Sequence, residues 1–179
     1  TFSNDSNSST LANASQSLAI GCGTTAAGVF SQAIGYDAFA SGSASLAYGM
    51  QSSASGDAAV AIGLAATAAG TESVAVGAMA TSMGANAVSM GSFSLANSAN
   101  SVAVGNSATA TGASAIALGY NAKATTDNSV ALGNSSTTAA ATNVTNVAIG
   151  GVTFGDFAGV SSAGVVSIGS ATGTWQLQN

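Results

Sequence analysis

Few side chains in this sequence could do acid–base, nucleophilic or metal chemistry. They are six carboxylates (Asp5, Asp37, Asp57, Glu72, Asp127 and Asp156), one cation (Lys123) and one thiol (Cys22), with no histidine anywhere. General acid–base work needs two groups within reach of one reacting bond, and a glycosidase carboxylate pair stands about 5–10 Å apart. A hydroxyl or thiol nucleophile needs an adjacent base. Without histidine, Cys22 can join neither a Cys/His metal site nor a Cys–His pair, and a single cysteine makes no internal disulfide. Cys22 is expected to be a small buried residue, and the many serines lack a base. Whether any two acids meet depends on what positions them.

What positions them is a lattice of glycine. Of the 17 positions taken every seventh residue from 21 to 133, 15 are glycine, the exceptions being Ser98 and Thr126. Seven suggests a coiled coil, but a coiled coil needs apolar residues three and four apart. Here the large residues stand two apart and then twelve. Two glycines per 14 residues would also cost a helix roughly 2 kcal/mol against alanine.

The period is 14. Nine copies of one pentapeptide end in Gly21, Gly35, Gly49, Gly63, Gly77, Gly91, Gly105, Gly119 and Gly133, running from SLAIG (17–21) through SVAVG (73–77) to SVALG (129–133). Each reads large–small–large, with Val, Leu or Ile on either side of a central alanine in six of the nine copies. That alternation is the mark of a strand with two faces. The second half of each unit is looser, as in TTAAG (24–28) and ATATG (108–112). There two small columns flank a variable one: Thr25, Phe39, Ser53, Thr67, Thr81, Leu95, Thr109 and Lys123. Its strand should turn the small residues inward and the variable one to solvent.

Two short parallel strands per 14 residues, each closed by a glycine corner, describe a flattened parallel β-roll. Coils stacked about 4.8 Å apart make nine of them a rod of about 40 Å. The glycines are expected to give the corners positive φ. Two large and two small side chains per coil are expected inside, a thin core for a lone chain. The alanine column 19, 33, 47 would then face outward and serve side-by-side association with closed symmetry. At Ser98 and Thr126 the corners should be altered and the roll unbroken. In this frame the acids fall in different columns, except Asp57 and Asp127, which share one five coils apart, about 24 Å. No catalytic pair forms, and no enzyme is expected. Calcium-binding rolls need Asp at fixed repeat positions, which this chain lacks.

Composition narrows the partners. Charged residues make up 4% of the chain and the net charge is −5, so phosphate-backbone binding to nucleic acid and docking on anionic membrane are excluded as main activities. The most apolar stretch, AAVAIGLAATAAG (58–70), is too short and glycine-rich to span a bilayer, which takes about 20 residues. The N-terminal TFSNDSNSSTLANAS lacks the basic and apolar regions of a signal peptide, and the chain reads as a fragment of a longer one. The sequons at Asn7, Asn134 and Asn143 are expected by chance in so serine-rich a chain.

Repeats of the form SVAVGxxAxAxG resemble the YadA-like head domain of trimeric autotransporter adhesins of Gram-negative bacteria, over residues 17–133. The resemblance implies an all-β, left-handed parallel β-roll of 14-residue coils assembled as a homotrimer, with no cofactor. Residues 1–16 read as a lead-in. Residues 134–163 read as a last coil, carried by NVAIG (146–150), with an insertion. Residues 164–179, GVVSIGSATGTWQLQN, resemble the start of the family's neck, incomplete and with Trp175 where Arg is usual.

The resemblance further implies a cell-surface adhesin head projected from the outer membrane. Its anchor would lie in C-terminal parts absent from this sequence. Host matrix proteins such as collagen, fibronectin or laminin would be its partners. The variable column from Thr25 to Lys123 offers candidate contacts. The aromatics Phe30, Tyr36, Phe39, Phe93 and Tyr120 are expected in packing against a neighbour or in an adhesive patch. Phe154, Phe157 and Trp175 should anchor the junction. Two other readings remain open at this stage: a structural spacer carrying another adhesive domain, and an ice-binding solenoid. The latter needs a Thr-x-Thr ladder that only Thr109 and Thr111 approach.

Overall fold

The computed structural model describes residues 2–4, 10–142, 146–149, 152–155, 162–170 and 173–174. Asp5, Asp156, Asn7, Asn143, Phe157 and Trp175 lie outside them.

The chain winds as an all-β solenoid of two parallel sheets. Three-residue strands such as Leu18–Ile20 and Val74–Val76 form one sheet, and two-residue strands such as Thr25–Ala26 and Thr81–Ser82 form the other. Within the repeats the register is straight: Val74 pairs with Val60 below and Val88 above, and Thr81 pairs with Thr67 and Leu95. The expected ladders are therefore real columns.

The direction of the long strands reverses the expectation. The alanines between the large residues are fully buried, as at Ala19, Ala33, Ala47 and Ala75, while the large residues beside them are partly or fully exposed. The expected interior of two large and two small side chains per coil is corrected to four small ones. In one coil these are Ser73, Ala75, Ala80 and Ser82, all buried. The reason is width. Tight corners hold the two sheets so close that only Ala, Ser and Thr fit between them, and Val or Ile would overpack the gap. Some buried hydroxyls pair locally, with Ser52 donating to the Gly49 carbonyl at 2.9 Å and Ser89 bonded to Ser94 at 2.7 Å, while those of Ser31, Ser45 and Ser73 have no hydrogen-bond partner among the described residues.

The corners divide the work of glycine in two. Gly49, closing a pentapeptide, has φ +138°, a conformation that L side chains rarely adopt, and a Cβ there would also overlap the carbonyl of Gly63 in the next coil. Gly84, closing a short strand, has no positive φ, but a Cβ there would overlap the carbonyl of Ser98 in the next coil. Only the pentapeptide glycines thus meet the expectation of positive φ, together with Gly23 and Gly169. The left-handed residue of each turn stands two places after the lattice glycine and is usually something else: Asp37, Ala44, Ala58, Ala65, Met79 or Asn86, with φ between 51° and 57°. This conformation aims its N–H along the rod. Ala65 donates to Met50 O at 2.9 Å and Ala58 to Ser43 O at 2.7 Å, so corners as well as strands are bonded coil to coil.

The lattice survives its substitutions. At Ser98 the hydroxyl donates to Thr111 O at 2.6 Å, and Asn100 keeps φ 56°. At Thr126 the amides of Thr125 and Thr126 donate to the Thr138 hydroxyl, at 2.9 and 3.4 Å. The residues ahead of 17 also enter the roll: Phe2–Asn4 pairs with Leu18–Ile20, and Leu11–Ala12 with Thr25–Ala26.

After Gly133 the repeat does not continue through NVAIG. Asn146–Ile149 pairs antiparallel with Val152–Gly155 as a separate hairpin, so the coil expected there is corrected to an insertion. The next rung is VVSIG (165–169). Val166 pairs with Val130 and Ser167 with Ala131, and Gly169 takes the lattice's positive φ, 118°. Val130 and Val166 are 36 residues apart, so 22 residues are inserted into a 14-residue coil. Gly169–Ser170 then pairs antiparallel with Gly173–Thr174.

Candidate functional site

Among the described residues no concave pocket opens and no three His, Cys, Asp or Glu approach closely enough to hold a metal ion. What the fold offers is surface in ordered columns, of three kinds.

The first is the variable column of the short-strand sheet. Strand register stacks Thr25, Phe39, Ser53, Thr67, Thr81, Leu95, Thr109 and Lys123 in that order, one per coil. All are partly or fully exposed beside buried alanine or serine, so every member lies on one outer face as expected. Phe39 and Lys123 project most.

The second is the corner that follows each pentapeptide, where consecutive coils present Tyr36, Met50 and Leu64, exposed by 52%, 48% and 44%. Their corners are joined by Gln51 N–H to Tyr36 O at 2.7 Å and Ala65 N–H to Met50 O at 2.9 Å. Met79 and Phe93 carry the apolar ridge on in the neighbouring column, tied by Met79 N–H to Leu64 O. Cys22, expected buried, heads this column and is exposed. It sits at the turn, outside both buried columns. Sequence reading picked out Tyr36 and Phe93 as aromatics and missed Met50, Leu64 and Met79. Reading positions 22, 36, 50 and 64 as one column would have found Met50 and Leu64, and reading 65, 79 and 93 as the next would have found Met79.

The third is the outward face of the long-strand sheet. The columns through Leu18 and Ile20 run the length of the rod as aliphatic ridges, ending at Val166, 69% exposed. Tyr48, Met90 and Leu132 also stand out from it.

The acids serve the corners. Asp57 accepts a hydrogen bond from Ser43 N–H and Asp127 accepts one from Ala113 N–H, each across one coil. The two share a column but never a site.

These features have counterparts among known proteins. The family model for the YadA head domain repeat matches residues 26–52, 54–78, 84–108 and 110–136, more than half of the chain. The crystal structure of the collagen-binding domain of the Yersinia adhesin YadA is similar, at 29% sequence identity and a TM-score of 0.69, covering 87% of this chain and 74% of that one. No curated protein sequence matches.

Proposed function

The chain belongs to the YadA head-repeat family, and on that premise we propose that it is the head of a trimeric surface adhesin that binds host matrix protein, collagen first among the candidates. The likeness to a collagen-binding adhesin domain over most of both chains carries this reading.

Physical features support it. A straight roll bonded through strands and corners is rigid, so its surface is preorganised and loses little entropy on binding. Each coil repeats the same backbone geometry, and three chains repeat it again. Many weak contacts act together, so avidity takes the place of a pocket. Collagen is itself a repetitive rod, which suits such a surface. The exposed aliphatic face of the long strands supplies the trimer contact. A strip about 45 Å by 10 Å reaches the size of the largest apolar patch that monomers usually leave bare, about 300–600 Å². In the parent protein the head would be projected from the outer membrane of a Gram-negative cell.

The test is a solid-phase assay of the purified chain on collagen, fibronectin, laminin and host cell layers. Saturable binding is expected to at least one matrix protein. Absence of concentration-dependent binding to all of them overturns the adhesive reading and favours a spacer.

A further inference from the structure

A repeating interface carries an ambiguity. Two copies packed along their apolar faces would, over most of their length, still set valine against valine, leucine or isoleucine after sliding by one coil, about 4.8 Å, and Tyr48 and Met90 in the Ile20 column offer apolar contact at either height. Burial of aliphatic area is non-directional and scarcely distinguishes these positions. No charged residue stands in the columns through Leu18 and Ile20, so no ion pair fixes the height either.

One residue breaks the Leu18 column. Gln32 pairs by register with Leu18 on one side and Leu46 on the other. Its side chain is exposed, and the structure gives its amide no hydrogen-bond partner among the described residues. A polar group here contributes nothing to the single roll.

We propose that Gln32 sets the register of self-association. In an aligned three-fold assembly of this chain the three Gln32 amides meet in one layer and bond to one another. This inference rests on the trimer reading above. A primary amide carries both donors and an acceptor, so three of them, each donating to the next, close a ring with no ion or other residue. A chain displaced by one coil sets its amide against a neighbour's Leu18 or Leu46. There the donors stay unmet once water is excluded. A single polar residue at a core position fixes register in coiled coils by the same physics. Three-fold closure defines the error that is prevented. An equal slip at every contact cannot close a ring, so the faulty state has one chain a coil high against two aligned ones.

The test uses the chain as it is, with mass from light scattering and symmetry from the amide NMR spectrum. The wild type is expected to have trimer mass and one resonance per amide. Gln32→Val, which restores the aliphatic column, is expected to keep the mass and split the resonances as aligned and slipped trimers coexist. Gln32→Glu puts three carboxylates in one layer. It is expected to lose the trimer at pH 7 and regain it below about pH 5, where they protonate. A single resonance set in Gln32→Val, or a Gln32→Glu trimer indifferent to pH, overturns the register role and leaves the trimer standing. A wild type of monomer mass removes both.

Discussion

A carboxylate oxygen of Asp57 accepts a hydrogen bond from the backbone N–H of Ser43, one full coil earlier, at 2.9 Å. Asp127 repeats the bond on Ala113 at 2.8 Å. An acid at this corner reaches back along the rod and ties two turns together. Asp57→Ala and Asp127→Ala are each expected to cost about 1 kcal/mol, lowering the melting temperature by about 2–4 °C. The double variant should be additive, because the sites share no partner. Calorimetry of the three variants checks this.

Gly84 and Gly133, the pentapeptide glycine with no coil backbone against it, should fail differently. Gly84→Ala drives a Cβ into the Ser98 carbonyl, an overpacking that the stacked backbones cannot relieve, and is expected to cost about 2–4 kcal/mol. Gly133→Ala meets only the Ser136 hydroxyl at 3.3 Å, yet keeps φ +106°, so it should cost only the backbone strain, about 1–3 kcal/mol. Denaturant titration of both variants measures the difference.

Alanine held in the left-handed region is a reserve of stability. Ala65 has φ 52°, and the same column already uses Asn121 at the same φ. Asparagine tolerates this region better than alanine. Ala65→Asn is expected to stabilise the fold by about 0.5–1 kcal/mol, read as a higher unfolding midpoint at unchanged slope.

The three faces can be told apart with one charge. Val74→Asp lies on the outward aliphatic face and is expected to yield a folded monomer. Ala75→Asp buries a carboxylate in a fully occluded column and should prevent folding, since an unpaired buried charge costs several kcal/mol. Thr81→Asp, on the opposite outer face, should change neither. Circular dichroism with light scattering separates the outcomes.

The corner ridge should matter to binding and not to stability. Replacing Tyr36, Met50 and Leu64 together by serine removes three exposed apolar side chains. On the adhesive reading this is expected to weaken matrix binding on the order of tenfold or more, at an unchanged melting temperature. An undiminished affinity would move the contact to the face carrying Phe39.

Much of this was legible because the fold is nearly one-dimensional. The 14-residue period, the two strands per coil and the outer ladder from Thr25 to Lys123 follow from spacing alone, since in a stacked roll sequence distance maps directly to height. The corners were only half legible. Gly84 and Gly49 look alike in the lattice, yet Gly84 answers only a neighbour's carbonyl, whereas Gly49 answers both a neighbour's carbonyl and its own positive φ. The end of the roll was misread because NVAIG (146–150) and VVSIG (165–169) are both fair copies of the pentapeptide. A local pattern does not say which copy finds Val130, and pairing across the sheet selects the second.

The sequence by itself determined the period, the parallel pairing and the alternation of large with small along each long strand. Alternation defines two faces but not which of them is inside. Only the tertiary structure decided that. Two tight corners per coil leave a gap that admits alanine, serine and threonine, so the valines and isoleucines that look like a core are turned outward. They lie where another copy of the chain can cover them.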